Sequence, residues 1–146
     1  MISEELYQSF LKLLLTGDRH ACGEIVLELL EKDIAIKDLY AKLFRRALYQ
    51  VGELWECNEI SVAKEHLATS ITESLMSLVY PYLFAESKCG KKAVISCATN
   101  EFHQVGGKMV ADVFELNGWD GHFLGANTDQ DELMRFIQKE EPDIVG

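Results

Sequence analysis

The spacing of apolar residues changes near residue 90, and this change constrains the fold more than any other feature. Before it, apolar side chains recur every three or four residues, which is the period of amphipathic helices. After it comes a nearly all-apolar run, Ala93 to Ala98, typical of a strand that is covered on both faces. The sequence therefore predicts a helical domain over residues 1–86 and an α/β domain over residues 91–146, with a short polar linker from Ala85 to Gly90.

Four helices are predicted in the first domain. The first helix ends at Gly17, and Asp18 caps the second helix. The third helix runs from near Asp38 to Cys57 and Asn58. Ser61 caps the fourth helix, and Pro81 closes it. The expected apolar stripe of the fourth helix consists of Leu67, Ile71, Leu75, Leu78 and Tyr82. Amphipathic helices joined by short turns predict an antiparallel four-helix bundle.

The second domain alternates strands and helices. Strands are predicted at residues 93–98, 122–124 and 143–146, with one helix from Val105 to Gly118 and another that Thr128 caps and Pro142 closes. This order predicts a parallel sheet with right-handed crossovers, as in Rossmann and flavodoxin-like domains. Three strands would leave a central strand as an open edge. We therefore expect that the chain is a fragment or truncated product, or that a partner completes the sheet.

Charge and composition exclude several classes of protein. The formal net charge is −10, with 8 basic and 13 acidic residues in positions 1–85 and 6 basic and 11 acidic residues beyond them. Without a basic patch, direct nucleic-acid binding is not expected. No apolar run reaches the roughly 20 residues that span a bilayer, and the N-terminus is acidic where a signal peptide is basic. We expect a cytoplasmic protein away from membranes. Its four cysteines show no CxxC pair, and in a reducing cytosol we expect them to be free thiols.

The turn after the first predicted strand carries the first candidate site. It contains Glu101, His103 and Gly106, and ligands of open α/β sheets bind at this end of the strands. A carboxylate two residues before an imidazole can fix its tautomer and improve it as a metal ligand, and Gly106 leaves room for a bulky group. The turn lacks G-x-G-x-x-G, so a dinucleotide is not expected. An imidazole that only caps the helix or faces solvent fits the same spacing.

A second candidate site lies where the third and fourth helices meet. Trp55 ends one helix, and Val62, Glu65 and His66 lie in the first turns of the next, on a face away from the apolar stripe. A core tryptophan beside a solvated patch explains the same pattern. Three other groups are interpreted as structural: His20 as a surface residue, His122 as a strand residue at the wrong end for ligand contact, and Asp129, Asp131 and Glu132 as a charged first helical turn.

Together these residues resemble cobalamin (B12)-binding proteins that carry a helical cap. Glu101-x-His103-x-x-Gly106 is similar to the D/E-x-H-x-x-G motif of base-off, His-on B12 proteins, including corrinoid proteins and the B12 module of methionine synthase. Trp55 followed by Glu65-His66 resembles the W-x9-EH signature of light-dependent cobalamin regulators. The segment from Gly125 to Thr128 looks like the loop after the second strand in that family.

The resemblance implies a role for each matched residue. His103 would be the lower axial cobalt ligand, Glu101 would bond to its imidazole, and Gly106 and Gly125 would line the cofactor-binding loops. Trp55, Val62, Glu65 and His66 would cap the upper face, around the adenosyl group of adenosylcobalamin or the methyl group of methylcobalamin. The cofactor would thus lie between the helical cap and the α/β domain.

Two departures limit this expectation. The residue after the tryptophan is Glu56, where light-sensing members carry a histidine that binds cobalt once the upper group is lost. The S-x-L and G-G segments that line the tunnel for the nucleotide tail would follow Gly146. We therefore expect weak or no cobalamin binding by this chain.

The expected function is a cobalamin-binding sensor or regulatory module that acts through a protein partner and can form homo-oligomers. The alternative is the corrinoid shuttle subunit of a methyltransferase system, in which case the chain takes part in catalysis as the methyl carrier. A second alternative is a protein-interaction module without a cofactor. No separate catalytic constellation is present in the sequence.

Overall fold

The computed structural model describes residues 2–84 and 87–146. The chain divides into two compact units, Met1–Tyr82 and Leu83–Gly146. The first is helical, and the second combines helices with a small sheet. Part of the predicted linker, residues 85 and 86, lies outside the described residues.

The helical unit contains four helices. α1 spans Glu4–Thr16, α2 spans Arg19–Glu31, α3 consists of the continuous segments Ile36–Leu39, Tyr40–Phe44 and Arg45–Glu56, and α4 spans Val62–Val79. The middle segment of α3 is π-helical, which the sequence did not predict. A 3-10 turn over Tyr80–Tyr82 contains Pro81 and follows α4 directly.

The helix ends follow the predicted local signals. Gly17 adopts a left-handed φ of 79° and donates its N–H to the carbonyls of Leu13 and Leu14. Asp18 accepts the N–H of Ala21. The Ser61 hydroxyl likewise accepts the N–H of Lys64 at 3.3 Å. Each cap satisfies backbone groups that the helix itself leaves unpaired.

The buried face of α4 differs from the predicted stripe. Ile71 and Leu75 are buried, but Leu67 is 48% exposed, Leu78 is half-buried and Tyr82 is exposed. The buried residues of α4 are Ala68, Ile71, Thr72, Leu75, Met76 and Val79. Leu67 instead lies over Gly17, where a Cβ would come within 2.9 Å of its Cδ2. The helical period admits two neighbouring stripes, and packing selects the one through Ala68.

The core of the helical unit is aromatic at its centre. Phe10 of α1 and Phe44 of α3 are fully buried, with ring centroids 6.2 Å apart. The Tyr40 ring lies 5.8 Å from that of Phe44. Cys22 is buried in the same unit, and burial raises the pKa of its thiol to about 11, so it remains protonated near neutral pH.

The α/β unit has the predicted element order. β1 spans Lys92–Ile95, α5 spans Val105–Leu116, β2 spans Asp120–Phe123, α6 spans Gln130–Glu140 and β3 spans Ile144–Val145. The sheet is parallel with the order β2-β1-β3. The register pairs Val94 with His122 and with Val145, so β1 lies at the centre. The Rossmann-like arrangement of parallel strands is therefore confirmed.

The predicted N-cap of the second helix in this unit is wrong. Asp129, and not Thr128, is the N-cap of α6, since its carboxylate accepts the N–H groups of Asp131 and Glu132. Thr128 belongs to the preceding loop, where its hydroxyl contacts the Gly125 carbonyl. The interpretation of this acidic run as a helix start is confirmed.

The packing of α5 on β2 depends on Gly121. A Cβ at this position would come within 2.7 Å of the Ala111 carbonyl, so only glycine permits this approach of helix and strand. Across the described residues, no helix has the combination of length and apolar character needed to span a bilayer.

Candidate functional site

The loop between β1 and α5 holds a carboxylate–imidazole pair. Glu101 Oε1 lies 2.7 Å from His103 Nδ1 and also accepts the backbone N–H of His103 at 2.7 Å. The backbone N–H and the imidazole of His103 lower the pKa of the Glu101 carboxyl, which favours its ionised form. A carboxylate on Nδ1 places the ring proton there and leaves the Nε2 lone pair free. The imidazole is 84% exposed, so Nε2 is accessible.

The loop after β2 fixes the loop that carries this pair. The Asn100 N–H donates to Asn127 Oδ1 at 2.9 Å, and the Asn127 N–H donates to the Glu101 carbonyl at 2.9 Å. Both asparagines have left-handed φ angles, 68° and 50°, which asparagine tolerates better than most residues. The apolar periodicity of the sequence does not predict this contact. An asparagine just after each of two parallel strands is the signal that could have indicated it.

Cys97, just after β1, is hydrogen-bonded to the loop that carries His103. Its thiol lies 3.7 Å from the His103 carbonyl, and burial raises the pKa of this thiol, so it remains a neutral donor. The Cys97 N–H donates to the Gly125 carbonyl at 3.1 Å. The end of β1, the loop of His103 and the loop after β2 are thus joined by hydrogen bonds.

Two adjacent glycines at the start of α5 have different surroundings. A Cβ on Gly107 would come within 2.9 Å of Phe123 Cε2 and 3.5 Å of Cys97 Sγ, so the fold itself requires this glycine. A Cβ on Gly106 would meet no atom within 4 Å. The fold leaves space at Gly106, as expected for a position that faces an external group. At Gly125, φ is 86°, which favours glycine.

The helical unit contains the second candidate cluster. Trp55 lies in the last turn of α3 and Val62 begins α4, and both side chains are exposed. Glu65 is only 17% exposed. It accepts the Thr69 hydroxyl at 2.9 Å and lies 2.6 Å from Nδ1 of His66, whose ring is 72% exposed. An apolar surface of Trp55 and Val62 therefore lies on the same helices as a second imidazole held by a carboxylate.

The donor set fits one kind of metal cofactor. Among residues 2–84 and 87–146, no group of three or more histidine, cysteine or acidic side chains could hold a bare metal ion. A metal that brings its own equatorial ligands in a macrocycle needs a single axial donor from the protein. The exposed Nε2 of His103 is a donor of this kind, and the open space at Gly106 lies three residues further along the chain. An exposed imidazole held by a carboxylate, beside an open glycine, is the kind of donor set that such a macrocycle requires.

Comparison with known families identifies the macrocycle. Two family models, each described as a B12 binding domain, match residues 6–80 and 91–146. The chain belongs to the B12-binding domain family. The predicted resemblance and fold class are therefore confirmed.

Two kinds of characterised protein are similar in sequence. Monomethylamine corrinoid protein 1 of Methanosarcina mazei is 22% identical over 131 residues, covering 87% of this chain and 60% of the relative. HTH-type transcriptional repressor CarA of Myxococcus xanthus is 30% identical over 88 residues, covering 60% of this chain and 30% of the repressor. The chain thus spans less than two thirds of the length of these relatives.

Solved structures share the fold. The monomethylamine corrinoid protein of Methanosarcina barkeri superposes with a TM-score of 0.82 at 16% identity, covering 97% of this chain and 68% of that one. The methanol:cobalamin methyltransferase complex MtaBC of Methanosarcina barkeri matches with a TM-score of 0.53 at 19% identity, covering 98% of this chain and 55% of that one. At these identities the likeness concerns the fold alone.

Proposed function

We propose that this B12-binding protein is a cobalamin-dependent sensor or regulatory module that holds its cofactor in the base-off, His-on form. The observation that carries the proposal is the Glu101–His103 pair, with Nδ1 held at 2.7 Å and Nε2 exposed. When bound, the cofactor would supply a cobalt centre. His103 Nε2 would be the protein's ligand to it, in place of the base on the nucleotide tail.

The loop contacts support this role of His103. Glu101 fixes the tautomer of the imidazole, and the backbone N–H of Asn127 donates to the Glu101 carbonyl and holds that residue in place. The open face of Gly106 accommodates the displaced tail, and Gly125 completes the neighbouring loop. A donor that is oriented in advance loses less conformational entropy on ligation.

The exposed cluster of the helical unit supports the regulatory role. Trp55 and Val62 provide an apolar surface for the upper ligand, and Glu65 and His66 provide polar groups beside it. A surface of this composition distinguishes an adenosyl group from a methyl group through stacking and hydrogen bonding. Glu56 provides no imidazole for cobalt, so the response of this chain does not use a histidine at that position.

Spectroscopic titration tests the ligation. Because the sequence predicts weak binding, aquacobalamin and diaquacobinamide, which lacks the nucleotide tail, are titrated with a large excess of the chain while the corrin bands are recorded. Both are expected to shift to a form with an imidazole ligand, and His103→Ala is expected to abolish the shift. Glu101→Gln is expected to weaken binding about tenfold, within the range for loss of a carboxylate behind a ligating histidine.

His20→Ala is the matched control, because that imidazole is also 84% exposed and lies beside a carboxylate, 3.6 Å from Glu24. It is expected to leave the corrin spectrum and the binding curve unchanged. An unchanged spectrum in His103→Ala would contradict the proposed ligation. Cobinamide separates ligation by His103 from any contribution of the tail.

A second candidate function is the corrinoid shuttle of a methyltransferase system. It is favoured by the sequence similarity to the Methanosarcina mazei corrinoid protein over 87% of this chain. The two functions differ in what happens to the upper ligand. A stable adenosyl complex whose partner binding changes after illumination supports the sensor, whereas methyl transfer from the methyl complex to a thiol acceptor supports the shuttle.

A further inference from the structure

The carboxylate–imidazole pair of the helical unit has nearly the same geometry as the pair on which the proposed function depends. Glu65 Oε2 lies 2.6 Å from His66 Nδ1, and Glu101 Oε1 lies 2.7 Å from His103 Nδ1. The two imidazoles are 72% and 84% exposed. The chain thus carries two imidazoles that a carboxylate holds at Nδ1 and whose Nε2 is accessible.

The other two histidines lack this arrangement. All four histidines of the chain lie within the described residues. His20 Nδ1 is 3.6 Å from a carboxylate oxygen, which is longer than a normal hydrogen bond. His122 lies on β2, and its Nε2 is buried without a hydrogen-bond partner. Only His66 and His103 are therefore both oriented by a short carboxylate contact and accessible.

The carboxylate behind His66 is itself fixed in place. Glu65 is only 17% exposed, and its Oε1 accepts the Thr69 hydroxyl at 2.9 Å while its Oε2 lies against His66 Nδ1. Both oxygens are thus engaged, and all three residues lie on α4. Because a helix positions a donor more precisely than a loop does, His66 Nε2 is oriented before any ligand binds.

The surroundings of His66 suit a macrocycle better than a bare metal ion. Val62 lies one turn before His66 on α4, so the two side chains share a face of the helix, and Val62 is 48% exposed. In the part of the chain that the structure describes, no three histidine, cysteine or acidic side chains form a site for a bare ion. A single imidazole beside an exposed apolar side chain fits a metal that brings its equatorial ligands with it.

We propose that His66 is a second cobalt ligand, which binds the axial position opposite His103 when that position carries only water. The inference rests on the proposed function, because His103 must first hold the cobalt. In the exchange the bond between cobalt and water breaks, and the Nε2 lone pair of His66 forms a cobalt–nitrogen bond. The cobalt keeps its oxidation state, and the Nδ1 proton stays in the hydrogen bond to Glu65.

This ligation gives the helical unit a way to detect the state of the cofactor. A methyl or adenosyl group occupies the same axial position and therefore excludes His66. His66 binds only after that group has been lost, which is the signal that a sensor of the upper ligand needs.

Aquacobalamin and methylcobalamin, each titrated with a large excess of the full chain, test the proposal. With aquacobalamin, the corrin bands are expected to show two imidazole ligands for the unaltered chain and one imidazole and water for His66→Ala. With methylcobalamin, the two chains are expected to give the same spectrum and the same dissociation constant. The His66 ring is 72% exposed, so circular dichroism is expected to show an unchanged fold. His20→Ala, which removes an exposed imidazole from α2, is the matched control and is expected to match the unaltered chain with both corrinoids.

Two further measurements separate ligation from a structural contribution. Glu65→Gln is expected to weaken the binding of aquacobalamin about tenfold, as for loss of a carboxylate behind a ligating histidine, and to leave that of methylcobalamin unchanged. In the unaltered chain labelled with ¹⁵N-histidine, the Nε2 resonance of His66 is expected to shift with aquacobalamin and not with methylcobalamin.

The outcomes distinguish this inference from the proposed function. Identical aquacobalamin spectra for His66→Ala and the unaltered chain, with the shift still abolished in His103→Ala, would overturn the inference and leave the proposed function standing. Equal losses of aquacobalamin and methylcobalamin binding in His66→Ala would also overturn the inference, since they would indicate a structural role. A spectrum that His103→Ala leaves unchanged would overturn both, because His103 would then not hold the cobalt.

Discussion

Asn127 Oδ1 accepts the backbone N–H of Asn100 at 2.9 Å, which joins the loop after β2 to the loop that carries Glu101 and His103. Because β1 and β2 are parallel neighbours, their carboxyl ends lie side by side, and both loops leave the sheet at the same edge. The orientation of the His103 imidazole therefore depends on a side chain 24 residues further along the chain.

Removing the Asn127 side chain is expected to loosen this loop. Asn127→Gly keeps the left-handed backbone but loses the acceptor, at a cost of about 0.5–1.5 kcal/mol in the free energy of unfolding. Asn127→Ala also strains a φ of 50°, for about 1 kcal/mol more. Asn127→Asp retains an oxygen that accepts the Asn100 N–H, so the loop is expected to keep its conformation. Ring ¹⁵N chemical shifts of His103 and chemical denaturation measure both effects, and shifts unaltered in Asn127→Gly would contradict this role.

The adjacent glycines of α5 give a matched pair of substitutions. Gly107→Ala places a Cβ 2.9 Å from Phe123 Cε2 and is expected to destabilise the fold by about 1–3 kcal/mol. Gly106→Ala meets no atom and improves helix propensity, so stability is expected to be unchanged or higher by up to about 1 kcal/mol.

The same pair distinguishes packing from cofactor binding. Under the proposed function, Gly106→Ala weakens cobalamin binding although the fold is intact, since its Cβ enters the space of the displaced tail. Cobinamide, which has no tail, is expected to bind this variant as it binds the unaltered chain. Thermal denaturation and parallel titrations with the two corrinoids measure this, and equal losses for both would contradict the role of Gly106.

Trp55→Ala tests the upper surface. Because the side chain is exposed, its removal is expected to change the free energy of unfolding by less than about 1 kcal/mol. The ratio of dissociation constants for adenosylcobalamin and methylcobalamin is expected to move toward one. Tyr80→Ala, at a tyrosine exposed beyond the end of α4, is the control. Unchanged discrimination in Trp55→Ala would contradict its role.

The fold could be predicted wherever its signals are local. Gly17 and Ser61 mark helix ends through their own backbone or hydroxyl, and the all-apolar run at β1 marks a covered strand. The π-helical turn at Tyr40–Phe44 has no such signal, because a continuous apolar face tolerates one extra residue per turn. The exposure of Leu67 was also missed, since two adjacent stripes on α4 are both apolar and tertiary packing selects between them.

In the candidate site, too, local features could be predicted from the sequence and long-range contacts could not. The short spacing between Glu101 and His103 made their pairing predictable, and the structure places them 2.7 Å apart. The contribution of Asn127 was not predictable from periodicity, because it arises only when β2 lies beside β1 in register. Local sequence thus specifies the carboxylate–imidazole pair, whereas the topology of the sheet specifies what holds it.

The last prediction concerns the dependence of stability on pH through Lys92 and Glu140. Lys92 Nζ lies 2.8 Å from Glu140 Oε2 and also donates to the Glu140 carbonyl at 3.0 Å, which ties β1 to the end of α6. Lys92 lowers the pKa of the Glu140 carboxyl below its ordinary value of 4.5, and Glu140 raises the pKa of the Lys92 ammonium above 10.5.

The sign follows from linkage. The carboxylate contributes stability that is fully present above pH 4.5 and is lost as the pH falls through the lowered pKa of Glu140. The ammonium contributes stability that is present below pH 10.5 and is lost as the pH rises through the raised pKa of Lys92. Glu140→Gln is therefore expected to lower the Tm near neutral pH and to flatten its decline on the acid side.

Differential scanning calorimetry over a range of pH measures this decline. Lys139 is the matched control, because it is a neighbouring lysine on α6 whose ammonium is exposed and lies 4.0 Å from Glu140. Lys139→Met is expected to leave the acid limb of the Tm profile nearly as it is, whereas Lys92→Met is expected to flatten it as Glu140→Gln does. Identical profiles for Lys92→Met and Lys139→Met would show that the link between β1 and α6 does not depend on this ion pair.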